Sequence, residues 1–171
     1  MSRGSPGPIV VREALPCEHE EAGRVTAEAY REFVGPNDQA WHEYLEAIAD
    51  VAGRAGRTTV FMALDDERIV GSATLELASR VEPDDDPALH PEEGHIRMLG
   101  VPPDARRRGV ARALMEACLD RARAEGKSFV TLHSTERMRV AQAMYEAMGF
   151  ERLDDRVLPD GFVLLTYRRP L

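Results

Sequence analysis

The segment that most constrains the fold runs from His95 to Ala124, where a short apolar run is followed at once by a helical pattern. The apolar run ends at Val101. Pro102 and Pro103 stop any strand there, because proline has no N–H to donate to a neighbouring strand. Three arginines follow, and Gly109 then leads into residues whose apolar positions recur with helical period. The segment predicts a strand, a tight turn and a helix that begins at a glycine.

The predicted start of this helix has the properties of an anion-binding site. The first turn of a helix presents backbone N–H groups that have no partner within the helix, at the positive end of its dipole. Gly109 has no Cβ, so a ligand can approach the backbone closely, and Arg106, Arg107 and Arg108 add donors. A phosphate or pyrophosphate fits this description. The alternative is that the arginines form a solvated surface patch.

The motif at this turn does not decide between the two interpretations. Arg106-x-x-Gly109-x-Ala111 is short. It is neither the six-residue glycine fingerprint of dinucleotide-binding folds nor a P-loop, which ends in Lys-Ser/Thr. The segments around it carry the further information.

Residues 94–150 resemble the GNAT superfamily of N-acetyltransferases. The acetyl-CoA motif of that superfamily, Q/R-x-x-G-x-G/A, is met by the arginine, glycine and alanine just described, between a strand and a long helix. A second element, a strand and then a helix ending in a tyrosine and a Gly-Phe pair, is met by 129–150 with Tyr145, Gly149 and Phe150. The order and separation of the two elements are more specific than either alone.

The resemblance implies an α/β (α+β) fold. We expect a GNAT-like mixed, mostly antiparallel sheet of about seven strands with about four helices, strands four and five being splayed around the cofactor. Apolar alternation and turn residues predict strands at Ile9–Arg12, Thr58–Leu64, Arg68–Leu77, His95–Val101, Phe129–His133, Phe150–Arg156 and Phe162–Arg168. Start and stop signals predict helices from Pro16, from Asn37 or Asp38 to Ala52, from Gly109 to Gly126 and from Thr135 to Gly149.

Length and composition predict one acetyltransferase domain over residues 9–171, preceded by a disordered N-terminal tail at 1–8. With 171 residues and 43% hydrophobic content, the chain can bury a core of its own. Its formal charge of −8 argues against nucleic-acid binding, which needs a basic face to release phosphate counterions.

Other features bear on location and assembly. The two cysteines, Cys17 and Cys118, form no disulfide framework, which predicts a reduced, cytoplasmic protein. The first residues lack the apolar stretch of a signal peptide, and no window approaches a membrane span, so we expect no membrane partner. A homodimer through an edge strand is one possible assembly.

Acetyl-CoA is the cosubstrate that the resemblance implies, with no metal. The amides of Arg107–Arg112 are expected to hold its pyrophosphate, and the pantetheine arm is expected to pair with backbone of Leu99–Val101. Where the family often has an asparagine bonding this arm, the chain has Met138, which offers apolar contact only. The predicted cofactor-binding residues are Leu99, Gly100, Val101, Arg106, Arg107, Arg108, Gly109, Val110, Ala111, Arg112 and Met138.

Transfer to an amine needs a base, because an alkylamine with pKa near 10.4 is almost wholly protonated at neutral pH. The two positions where the family often has a glutamate are His95 and His133 here, and Glu93 is a weaker candidate. Each histidine has an alternative, purely structural role. By resemblance Tyr145 is the acid that protonates the leaving thiolate, the alternative being a tyrosine packed in the core.

The sequence therefore predicts an N-acetyltransferase that moves an acetyl group directly to a primary amine of a small molecule or peptide. The acceptor site is expected between the first two helices and the acidic loop at 80–93, near Tyr30, Trp41, 84–86 and Glu92. An alternative is an acyl-CoA-binding sensor with the same fold and no turnover. Nucleic-acid binding through the three arginines is a third and weaker hypothesis.

Overall fold

The computed structural model of the chain describes residues 7–82 and 86–171. Most of the predicted tail, residues 1–6, and the acidic residues at 84 and 85 therefore lie outside the described residues. A single domain over 9–171 stays a prediction. The described strands are β1 (Ile9–Glu13), β2 (Thr59–Asp65), β3 (Arg68–Glu76), β4 (Glu93–Gly100), β5 (Phe129–Ser134), β6 (Glu151–Arg152), β7 (Arg156–Val157) and β8 (Val163–Pro170).

These strands form a mixed sheet in the order β1-β2-β3-β4-β5-β8-β6, with β7 also paired to β8. The β4–β5 pair is parallel and the other pairs are antiparallel, which confirms the predicted mostly antiparallel architecture. The described sheet has eight strands where about seven were predicted. The reason is that residues 153–155 lie outside the strands, so the predicted strand at 150–156 divides into β6 and β7.

The described α-helices are α1 (His19–Tyr30), α2 (Gln39–Ala49), α3 (Val51–Ala55), α4 (Val110–Ala124) and α5 (Arg139–Ala147). There are five rather than four because the predicted second helix breaks at Asp50, which leaves helical geometry at φ −81° and ψ 69°. Its carboxylate then caps α3 by accepting from the Gly53 N–H at 2.9 Å. The predicted cap Asp38 does cap α2, accepting from the Trp41 N–H at 3.3 Å.

The last helix begins later than the sequence predicts. Thr135 was expected to cap it, but α5 starts at Arg139 and Met138 occupies the N-cap position. Between them lies a turn in which the Met138 N–H donates to the Thr135 carbonyl at 3.0 Å. This turn leaves the Thr135 side chain free of a capping role.

Strands β4 and β5 pair only over the first four residues of each strand. Their register runs from Glu93 opposite Phe129 to Ile96 opposite Leu132 and then stops. Just beyond, Met98 adopts a φ of +52°, and the pairing of β4 with β3 shifts register at the same place. This bulge turns the end of β4 away from β5, which confirms the predicted splay.

Helices cover both faces of the sheet. On one face α4 packs over β1 to β5, around a core that includes Leu114, Met115 and Leu119. On the other, α1 packs against β3 and β4. Gly100 is needed for that packing, because a Cβ there would lie 3.0 Å from the Thr26 Cγ2 and 3.2 Å from the Ala29 Cβ.

The cysteines differ in setting. Cys118 is fully buried on α4, as the apolar face of that helix predicts, and burial raises the pKa of its thiol to about 12. Cys17 is exposed near the chain start. Among the helices of residues 7–82 and 86–171, none combines the length and apolar character that crossing a membrane requires.

Candidate functional site

The start of α4 is open to solvent and rich in unpaired amides. The first N–H bond within the helix joins Ala113 to the Gly109 carbonyl at 2.9 Å, so the amides of Val110, Ala111 and Arg112 precede any helical partner. Gly109 has a φ of +77°, and a Cβ placed on it would meet nothing within 4 Å. The turn can therefore accept an anion directly against the backbone, as the helix dipole favours.

The backbone leading into this turn is strained. Arg107 has a φ of +63°, in the left-handed region that costs a residue with a Cβ about 1 kcal/mol or more. Two left-handed residues, Arg107 and Gly109, thus stand close together before the helix. Such turns direct successive N–H groups to one side, which suits a bound anion.

The arginine side chains are not all free donors. Arg106 turns inward, donating through Nε to the Val101 carbonyl at 2.9 Å and pairing with Glu32. Arg108 donates to the Asp65 carboxylate at 2.7 Å. Both therefore tie the turn to neighbouring elements. Arg107 and Arg112 are exposed, and Arg112 also pairs with Glu116 at 3.2 Å.

The end of β4 presents a free backbone edge beside this turn. Gly100 pairs with Ser72 on β3, while pairing toward β5 has already ended at Ile96. Leu99 is partly buried, and Gly100 and Val101 are buried against the helices. An extended ligand with amide groups can pair with this edge as an added strand would.

A cleft of about 600 Å³ opens on the other side of the splayed strands. Its apolar wall is largely aromatic: the Trp41 ring lies 5.8 Å from that of Tyr44 and 6.4 Å from that of Phe162. The predicted acceptor residues Tyr30 and Trp41 both line it, as does Met138. The remaining polar lining includes His95, Arg97, His133, Ser134, Thr135 and Arg156.

The floor of the cleft is a polar row on one sheet face. His95 and Arg97 alternate along β4 and so point the same way, and Thr131 and His133 do so on β5. The His95 and His133 rings lie 5.0 Å apart. The structure thus brings together the two histidines that the sequence analysis named separately.

Both histidines are shifted toward the neutral form. Burial, the neighbouring His133 and nearby arginines hold the pKa of His95 well below its ordinary value. Burial, followed by the positive charge of Arg156, lowers the pKa of His133 to about 4. A neutral imidazole is available to accept a proton.

A network of ion pairs holds Glu82 and Asp86 of the 80–93 loop against the cleft. Arg97 donates to Asp86 at 2.8 Å and to Glu82 at 3.1 Å, and Arg156 donates to Asp86 at 2.9 Å. Beneath them Arg80 bonds the fully buried Glu76 at 2.8 Å. Of the acidic residues expected at the acceptor site, Asp86 is therefore paired with two arginines, whereas Glu92 accepts from the Ser128 hydroxyl at 2.8 Å.

Tyr145 lies on α5, with its ring 6.0 Å from Phe150 and 5.9 Å from Tyr167. It is 7% exposed. Burial chiefly, and then the neighbouring Tyr167 and Tyr44, raise the pKa of its phenol. A raised pKa keeps the phenol protonated, as an acid must be before it acts.

Two cleft residues were missed by the sequence analysis. The side-chain oxygens of Ser134 and Thr135 are buried and have no hydrogen-bond partner within the described residues. Both line the cleft at the end of β5, close to Met138. Buried hydroxyls without a partner are costly, so a ligand is a natural partner for them. The only sequence signal was a pair of hydroxyl residues directly after a strand.

No group of three or more His, Cys, Asp or Glu side chains in the described parts of the chain is arranged to hold a metal ion.

A helix start that can hold an anion, beside a splayed parallel strand pair and an aromatic cleft, defines a protein of the GNAT fold. The model of the Acetyltransferase (GNAT) family matches residues 23–150, well over half of the chain. The chain belongs to the GNAT acetyltransferase family.

Individual relatives are distant. The chain is 29% identical over 141 residues to mycothiol acetyltransferase from Kocuria rhizophila, covering 80% of this chain and 39% of that protein. It is 33% identical over 92 residues to human N-acetyltransferase 8, covering 54% of this chain and 38% of that protein. The chain thus spans about two fifths of the length of each of these relatives.

The fold is also that of solved structures. One is the yncA protein of Salmonella typhimurium with its cofactor acetyl-CoA. It superposes with a TM-score of 0.69 at 14% identity, over 96% of this chain and 95% of that one. At this identity the likeness concerns the fold alone.

Proposed function

We propose that this protein is an acetyl-CoA-dependent N-acetyltransferase that moves an acetyl group directly to a primary amine of a small molecule or peptide. The observation that carries the proposal is the open first turn of α4 lying beside the free edge of β4. Together they offer amides for a diphosphate and a strand edge for an amide-bearing arm. Family membership and the acetyl-CoA of a structural neighbour support the same cosubstrate.

The residues present fit coenzyme A. The amides from Arg107 to Arg112 would hold the diphosphate, while Arg106 and Arg108 brace the turn. Leu99–Val101 would pair with the pantetheine arm. Ser134 and Thr135 supply hydroxyls close to Met138, and so offset the missing asparagine. When bound, acetyl-CoA supplies the acetyl group as a reactive thioester.

The residues around the cleft divide the chemistry between them. A neutral histidine, His95 or His133, takes a proton from the acceptor amine. A backbone N–H of Leu99–Val101 polarises the thioester carbonyl. Tyr145 donates its phenolic proton to the leaving sulfur. The aromatic side chains of Tyr30, Trp41 and Phe162 in the cleft receive the apolar part of the acceptor.

A thiol-release assay tests the proposal. Purified protein is given acetyl-CoA together with a panel of primary amines, including small aromatic amines and peptides with a free N-terminus, and free thiol is followed against amine-free controls. Amine-dependent thiol release with formation of the acetylamide is expected. Tight binding of coenzyme A with no release on any amine would instead favour the sensor alternative.

A further inference from the structure

A chain of three polar side chains, two of them buried and the third partly buried, leads away from the floor of the cleft. Glu93 and His95 alternate on β4 and share a face, and Thr131 lies directly opposite His95 on β5. The Thr131 hydroxyl donates to the Glu93 carboxylate. The same hydroxyl oxygen lies 2.7 Å from Nδ1 of His95, while Glu93 itself is 4.0 Å from that nitrogen. Thr131 thus stands between the carboxylate and the imidazole.

The direction of these hydrogen bonds is fixed by the carboxylate. A carboxylate only accepts, so the single hydroxyl proton of Thr131 is used toward Glu93. The hydroxyl oxygen can then only accept from His95, which requires the proton of the neutral imidazole to sit on Nδ1. The remaining ring nitrogen, Nε2, carries the lone pair.

We propose that Glu93 and Thr131 are positioning residues that hold His95 in its Nδ1–H tautomer, so that Nε2 of His95 is the atom that takes a proton from the acceptor amine. The inference rests on the proposed function, and within it chooses His95 over His133. It also moves Glu93 from a candidate base to a supporting role.

The surroundings of His133 explain the choice. Nδ1 of His133 lies 3.2 Å from the Thr166 hydroxyl, which can either donate or accept. That contact selects no tautomer. The ring nitrogen that carries the lone pair is therefore fixed in His95 and not in His133. Both rings line the same cleft.

The chain also balances the charge that the reaction creates. An ammonium acceptor loses two protons on becoming an amide: one replaces the proton that Tyr145 gives to the thiolate, and His95 Nε2 takes the other and returns it to solvent. While the proton is on His95, the imidazolium donates through Nδ1 to Thr131, whose hydroxyl donates to the anionic Glu93.

Several other charged groups lie around His95. Arg80, Arg97 and Arg156 all disfavour the imidazolium, as does the neighbouring His133. On the other side, Glu76 lies opposite His95 on β3. Arg168 stands opposite Thr131 on β8. Glu93 is thus the carboxylate coupled to His95 through Thr131, in surroundings where several arginines oppose a positive ring.

The tautomer can be read directly from the full-length protein by ¹⁵N NMR of histidine, with the His95 signals assigned from a His95→Gln sample. Above neutral pH we expect Nδ1 protonated and Nε2 unprotonated. In Thr131→Val, which has nearly the same shape, the single tautomer is lost, and Thr131→Ser restores it. A wild-type Nε2–H tautomer, or an unaltered Nδ1–H tautomer in Thr131→Val, would overturn the inference.

Kinetics test the role of the charge. In Glu93→Gln the acidic limb of the pH profile of kcat/KM moves to lower pH, because the imidazolium loses its counter-charge, and the plateau falls at least about tenfold as the base weakens. Glu151→Gln removes a carboxylate from an exposed position on β6 and leaves the profile unchanged. A Glu93→Gln profile identical to wild type would refute the supporting role of Glu93.

The two experiments separate this inference from the proposed function. The NMR measurement needs no substrate, so it decides the tautomer even if no amine is acetylated. Conversely, amine-dependent activity with the opposite tautomer would leave the acetyltransferase standing and remove Glu93 and Thr131 from its machinery.

Discussion

At the start of α4, the proposed donor end of the site consists of backbone amides in an open turn. The acceptor cleft consists instead of side chains drawn from α1, α2, four strands and the loops between them. The donor end depends on one glycine with open space in front of it. The cleft depends on buried histidines, paired arginines and an aromatic wall. A site made of backbone tolerates changes in most side chains, while a site made of packed side chains does not. The following predictions test that difference.

The largest expected effect is on turnover, and it comes from the proposed acid Tyr145. Tyr145→Phe removes the proposed acid while keeping the ring packed against Phe150, and should lower kcat by roughly 10²–10⁴, with coenzyme A affinity unchanged. Tyr167→Phe is the matched control, because it removes the hydroxyl of a neighbouring tyrosine, whose ring lies 5.9 Å from that of Tyr145 and to which no part in the chemistry is assigned. Single-turnover kinetics measure both. Equal rates for Tyr145→Phe and wild type would exclude Tyr145 from the chemistry.

The next effect isolates the donor end. Gly109→Glu places a carboxylate on the open turn and should weaken coenzyme A binding by at least about 100-fold, or some 3 kcal/mol, by titration calorimetry. Gly126→Glu at the other end of α4 is matched, since Gly126 has a φ of +74° and the same open space. Both variants carry the same backbone strain, so only Gly109→Glu should lose affinity. Similar losses in both would show that strain, not the anion site, is responsible.

A smaller effect isolates the acceptor end. Trp41→Leu removes a ring that packs against Tyr44 and Phe162, and should raise the KM for the acceptor about tenfold while the affinity for coenzyme A stays constant. Phe129→Leu serves as control, since its ring packs against His90 and Arg168 away from the cleft lining. A parallel loss of coenzyme A affinity in Trp41→Leu would mean that the two ends are not independent.

The smallest effect is on stability. Because the pKa of His133 is about 4 in the folded protein and near 6.5 when unfolded, the unfolded chain binds more protons between these values. The free energy of unfolding is therefore unaffected by His133 above pH 6.5 and decreases as the pH falls toward 4. The decrease is about 2 kcal/mol at most, because His133 is partly exposed. The lowered pKa of His95 acts in the same direction.

Urea unfolding at several pH values measures this slope. His133→Gln should make it shallower, whereas His42→Gln, at an exposed position on α2, should leave it unchanged. An identical slope in His133→Gln and wild type would mean that His133 is not held neutral by the fold.

The comparison also explains which parts of the molecule could be predicted. The element order and the glycine turn were predicted, because proline, glycine and apolar periodicity act on the backbone within a few residues. The splay of β4 from β5 was expected only from the family resemblance. The break at Asp50 and the late start of α5 were not predicted. Capping by Asp50 and the turn after Thr135 compete with continuation of the helix, and the free-energy difference between the alternatives is about 1 kcal/mol. The inward turn of Arg106 and Arg108 was also missed, because their partners Glu32 and Asp65 are distant in sequence.

The sequence by itself determined the family and the fold, because two motifs in a fixed order and separation record them, and it predicted the place where an anion can meet the backbone. The proposed use of His95 rests on the tertiary structure alone. Thr131 and Glu93 meet it through a parallel strand pairing between residues 36 and 38 positions apart, and the direction of two hydrogen bonds then places its lone pair. Such an arrangement depends on register across the sheet, which no local pattern of residues specifies.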